Sequence, residues 1–96
     1  MTTKKTTKND YSIYNQVTSV KARRNEENLV ILVRNGEFYE SYEEDADILS
    51  GVLGIGQFNR KGCLLNIAGF GREMLSSNLP KLLRAGHRVA IMDAIA

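Results

Sequence analysis

The chain has little of the chemistry that marks enzymes and metal proteins. Its 96 residues include one cysteine, one histidine, one proline and no tryptophan. A single thiol, Cys63, cannot close an internal disulfide and fits a reducing compartment. Neither Cys63 nor His87 has a partner in its own stretch for a metal site or a nucleophile–base pair. The run Gly54 to Asn59, GIGQFN, ends on Asn where the dinucleotide fingerprint needs glycine, and no Walker-type phosphate loop is present. The acids Glu43, Glu44, Asp45 and Asp47 lack the spacing of a calcium loop. The longest apolar run, Leu29 to Val33, is far too short to cross a membrane, and the polar N-terminus lacks a secretory signal. The expectation is a cytoplasmic protein without catalytic residues, metal, cofactor or membrane partner, and so not an enzyme.

What is present is one domain's worth of ordinary globular composition, 43% hydrophobic and 25% charged. The net charge of +2 hides an uneven distribution. Residues 1–36 carry seven bases and three acids, 37–59 six acids and no base, and 60–96 six bases and two acids. That pattern is either a bipolar surface on which Lys and Arg gather, or a set of solvated faces. Residues 1–10 contain no apolar side chain after Met1 and read as a flexible basic tail, touching phosphates or only aiding solubility.

The remaining residues, 11–96, read as a single α+β module, a small mixed sheet with helices packed on it. Ile13, Val17 and Val20 recur at helical spacing, predicting a helix from Tyr11 to Arg24 with basic residues at its negative end. Leu29–Val33 is an apolar, β-branched strand covered on both faces. Asn35-Gly36 predicts a type I′ hairpin turn, with the returning strand from Glu37 to about Ser41. Ser41 and Glu44 fit a capping box opening a helix that stops near Gly51. Val52–Asn59 and Cys63–Ala68 read as two strands joined by a turn at Arg60-Lys61-Gly62, and Gly69-Phe70-Gly71 breaks the pattern. A helix to about Ala85 would bury Leu75, Leu79, Leu82 and Leu83 and stop at Gly86. Either it starts at Ser77 or Asn78, or it kinks at Pro80. His87–Ile95 is the final strand.

Within this frame Phe38 and Glu40 share one face of a strand, with Tyr39 on the other. A core face would not set an unpaired carboxylate beside a buried phenyl, because an isolated buried charge is costly. The pair therefore fits a partly exposed Phe38 near the turn, able to act as a wedge in a base stack while the acid reads the disturbed base. The plainer alternative is a core phenylalanine.

The stretch LVILVRNGEFYESYEEDADILSGVLGI resembles the start of the mismatch-recognition domain of the MutS family of DNA repair proteins. There, an apolar strand, Arg, Gly-Asp/Glu, Phe-Tyr-Glu, an aromatic and Asp-Asp-Ala follow one another. NIAGFGREMLSSNLPKLLRAGHRVAIMDAI is similar to that family's Met-Ala-Gly, leucine-rich helix and final Val-Ala-Ile strand. The resemblance covers residues 11–96 and is most specific at Phe-x-Glu. It implies a module that binds mispaired or distorted double-stranded DNA, with Phe38 stacking on the faulty base and Glu40 hydrogen-bonding it. Arg34, Arg60 and Lys61 are candidate phosphate contacts, or else solvated turn residues. Gly69-Phe70-Gly71 stands where the family has Gly-Val/Ile-Pro, and Met92-Asp93-Ala94 where it has Cys-Glu-Gln. The family's connector, lever, clamp and ATPase segments lie outside the match. The last strand is then expected to leave a sheet edge for a second copy or another protein. A protein-interaction module that kept the fold without mismatch recognition is the alternative function.

Overall fold

The computed structural model describes residues 10–94. Most of the basic tail expected over residues 1–10 falls outside that range, and Asp10 opens the first helix. The elements run α1 (Asp10–Arg24), β1 (Leu29–Asn35), β2 (Phe38–Tyr42), α2 (Glu44–Leu53), β3 (Ile67–Gly71), a 3-10 turn (Arg72–Met74), α3 (Leu75–Arg84) and β4 (Arg88–Asp93). One sheet in the order β3-β2-β1-β4 holds the strands. β1 pairs antiparallel with β2 and parallel with β4, and β2 pairs antiparallel with β3. The fold is the expected α+β, with a mixed sheet.

The sheet has two covered faces, which explains the unbroken apolar run in β1. Leu29, Ile31 and Val33 pack with Tyr42, Ile67 and the α1 residues Ile13 and Val17. Val30 and Leu32 pack with Ala46 and Leu49 of α2, Ala68 and Phe70 of β3 and Leu82 of α3. The first five of the seven β1 side chains, Leu29 to Val33, are buried, each contributing roughly 1.5–3 kcal/mol of transfer free energy.

Several expectations shift. The hairpin turn is centred on Gly36 and Glu37, because Asn35 still pairs with Phe38. Positive φ is needed at Gly36 alone, the pattern of a type II′ rather than a type I′ turn. The capping box does not form. The Ser41 hydroxyl donates to the Ile31 carbonyl instead, and Glu43 precedes α2 without a side-chain cap. α2 runs past Gly51 to Leu53 and ends on Gly54, whose φ of 71° supplies the left-handed stop.

The strand expected over Val52–Asn59 is therefore absent, and only Phe58 forms an isolated bridge, to Ile67. The next strand begins at Ile67 rather than Cys63 and includes Gly69-Phe70-Gly71, which was expected to break it. α3 buries Leu82 and Asn78 but leaves Leu83 52% exposed, and Pro80 lies inside it.

The acidic run over residues 37–59 is only partly a solvated face: Glu37, Glu44 and Asp47 are exposed, while Glu40 and Asp45 are buried. Glu37 pairs with Arg72, Glu40 with Arg60, and Asp45 with Lys21. Glu43 accepts from the Asn66 amide, Glu44 from the Tyr14 hydroxyl, and Asp47 from Gln57. All six carboxylates are engaged.

One consequence is readable by titration. The bond to Glu44, helped by burial, pushes the Tyr14 hydroxyl up to about 12 from its ordinary 10. In return, its own backbone N–H and then Tyr14 hold the Glu44 carboxyl below the usual range. A phenol whose folded pKa is raised contributes stability that is complete below pH 10 and lost as pH rises through about 12. Ultraviolet titration is expected to show a tyrosine transition near pH 12 that is lost in Tyr14→Phe, while the late transition of the buried Tyr42 remains. A Tyr14 that ionises near 10 would contradict the bond.

Candidate nucleic-acid interface

β2 alternates around the sheet, so Phe38, Glu40 and Tyr42 share the face that α1 covers. Tyr42 lies under the helix and is buried. Four positions earlier, Phe38 lies beyond it and is 54% exposed. The ring sits next to the Gly36-Glu37 turn, opposite Asn35 on one side and Gly71 on the other.

Glu40 lies between them and is only 4% exposed. The expected pairing of an exposed phenyl with a nearby acid holds for the phenyl, while the carboxylate is buried and bonded at both oxygens. Its Oε2 is ion-paired with the Arg60 guanidinium. Its Oε1 accepts from the Tyr42 hydroxyl at 3.1 Å and from the Asn35 amide at 3.3 Å. Arg60 also pairs with Asp10 at 3.0 Å, so two carboxylates face one guanidinium. The Tyr42 hydroxyl is held protonated well above its ordinary range, by burial first and then by the neighbouring Glu40 charge. Such a buried charge is tolerable because each of its oxygens has a partner.

Room for the Glu40 side chain comes from β3. Gly69 faces Glu40 across the ladder. A Cβ there would lie 2.9 Å from the Tyr39 carbonyl oxygen and 3.2 Å from Glu40 Cγ. At Gly71 an added Cβ would meet the Glu73 carboxylate. The space a side chain would take at each glycine is thus used by a carboxylate side chain, Glu40 at Gly69 and Glu73 at Gly71. A depression of about 480 Å³ is lined by Phe38, Glu40, Phe58, Arg60, Gly69 and Gly71 among others.

Arg60 is thus brought to Phe38 and Glu40, with its guanidinium 5.6 Å above the Phe58 ring centre. Lys61 is exposed in the following turn. Arg34 is exposed near the hairpin but opposite Tyr39 in the ladder, which places it on the other face of the sheet. Sequence reasoning did not identify Phe58, Asp10, Asn35, Tyr42 or the two glycines. The strand alternation of Phe38, Glu40 and Tyr42 was a usable signal for Tyr42. Asp10 and Phe58 reach the site only through the tertiary fold. Among the described residues no cluster of three or more His, Cys, Asp or Glu could hold a metal, and no helix is long and apolar enough to cross a membrane.

A family profile described as MutS domain I matches residues 12–96. Three similar proteins all carry the name DNA mismatch repair protein MutS. That of Bacteroides thetaiotaomicron is 48% identical over 69 residues, and that of Parabacteroides distasonis 49% over 69 residues. That of Salinibacter ruber is 42% identical over 69 residues. In each case the alignment takes in 69% of this chain and 8% of the relative, so the chain spans a small part of those proteins.

Proposed function

The chain belongs to the MutS domain I family, and on that footing we propose that it binds DNA, probing mispaired or distorted duplex with the Phe38 ring. The observation that supports this most is the exposed phenyl at a rigid hairpin edge. A half-exposed phenyl costs hydration free energy unless something covers it, and a base stack offers a flat apolar partner. Unstacking a duplex step costs a few kcal/mol and costs least where pairing is already faulty, so the DNA's own weakness supplies discrimination.

Glu40 would contact the disturbed base through Oε1, whose two hydrogen bonds are its longer ones, while Arg60 holds Oε2. In this proposal Arg60 positions the carboxylate. Lys61 supplies phosphate attraction without reading sequence, and Arg34, on the other face of the sheet, adds only long-range attraction. A second reading, a protein-docking module, rests on β4, which lies at one edge of the sheet with Ile91 48% exposed. Fluorescence anisotropy with a perfect duplex and one carrying a single unpaired nucleotide separates the two. The proposal expects tighter binding to the defect, weakening as salt rises. Absence of binding to either duplex at low salt would favour protein docking.

A further inference from the structure

The second exposed phenyl on this face, Phe58, has no part in the wedge described above. Its backbone N–H and carbonyl both bond Ile67, each at 2.8 Å, so it extends the sheet by one position beside β3. Opposed residues of an antiparallel pair share a face, so the ring stands on the Phe38 side. It is 46% exposed.

The segment that carries it is pinned on both sides. Gln57 donates to Asp47 at 2.8 Å, and Asn59 donates to the Leu65 carbonyl at 2.7 Å. Arg60 is fastened to Glu40 and Asp10 and lies over the ring. An exposed aromatic on so fixed a segment loses little conformational freedom on binding a ligand.

We propose that Phe58 is a second base-contacting ring, and that the depression between it and Phe38 receives one unpaired nucleobase of the bound duplex. The surface suits the two kinds of group a base presents. Phe38 and Phe58 offer apolar π-faces for stacking. The Glu40–Arg60 pair meets the polar edge, and Gly69 adds no side chain of its own to the depression. This inference rests on the DNA-binding reading and goes beyond it by assigning a separate place to an extra base.

The test uses the full 96-residue chain with three duplexes: perfect, carrying one unpaired thymidine, and carrying one abasic nucleotide at the same place. Phe58→Leu keeps an apolar side chain and removes the π-face. It is expected to weaken binding to the thymidine bulge by at least about fivefold and to change the perfect duplex by less than about twofold. The abasic bulge, which has no ring to stack, is expected to bind wild type and Phe58→Leu alike. Wild-type behaviour of Phe58→Leu alongside a defect in Phe38→Ala would overturn this inference and leave the wedge standing. Equal loss on all three duplexes would also overturn it. Indifference of both variants would remove the wedge and this inference together. Should Phe58→Leu fail to fold, wild-type Phe58 ring resonances serve instead. They are expected to move with the thymidine bulge and not with the abasic one, and equal movement with both would overturn the assignment.

Discussion

Replacing Phe38 by alanine is expected to lower affinity for a mismatched or bulged duplex by about tenfold or more, and affinity for perfect duplex by less than about twofold. The first figure follows from aromatic–base stacking, about 1–3 kcal/mol per base, against about 1.4 kcal/mol for each factor of ten. The second follows from position. A ring that enters only a broken stack contributes nothing to backbone attraction, which Lys and Arg provide. Folding is expected to survive, because the ring is 54% exposed and its truncation opens no core cavity. Thermal melts within a few degrees of wild type, with the defect preference gone, are the expected pair of results. Equal losses on both duplexes would assign Phe38 to general packing.

Asp45→Ala is expected to have the largest effect on stability, about 1–3 kcal/mol. Asp45 is 2% exposed and bonds two elements at once. One oxygen takes the Lys21 ammonium of α1 at 2.6 Å, and the other takes the Ile31 backbone N–H of β1 at 3.1 Å. Alanine would strand a buried N–H in the centre of the sheet and leave Lys21 without its partner. Asp45→Asn retains an acceptor for Ile31 and removes the charge. Lys21 is 31% exposed at its side chain and can return to water, so the amide is expected to cost far less.

The sign of the pKa shift agrees with that contrast. Burial pushes the Asp45 carboxyl above its ordinary range despite Lys21 and the Ile31 amide, so ionising it works against the fold. Its contribution is therefore largest below its ordinary pKa and declines as pH rises through the folded value. Urea unfolding of the three proteins checks this. Similar midpoints for Asp45→Ala and Asp45→Asn would mean that the hydrogen bond to Ile31 carries little.

The parts of the fold that local rules govern were readable in advance. Five successive apolar residues at 29–33 needed cover on two faces, and α1 on one side with α2 and α3 on the other provide it. The position of Phe38 beside the turn was legible from strand alternation and the nearby Gly36. What escaped depends on partners distant in sequence. Glu40 could be buried only because Arg60, Tyr42 and Asn35 converge on it. Glycines 69 and 71 look like strand breakers until Glu40 is known to lie across the first of them. The Ser41 hydroxyl had two possible roles, accepting as a helix cap or donating to a neighbouring strand, and it donates to the buried Ile31 carbonyl.

In the proposed binding mode the Phe38 ring enters the base stack when mismatched DNA is present. With three phenylalanines in the chain, ring carbon–proton NMR can follow each one separately. On saturation with a mismatched duplex the Phe38 ring protons should move upfield, as the ring currents of stacked bases require, and should stay in place with perfect duplex. Unmoved Phe38 resonances on a fully bound mismatch would contradict the claim.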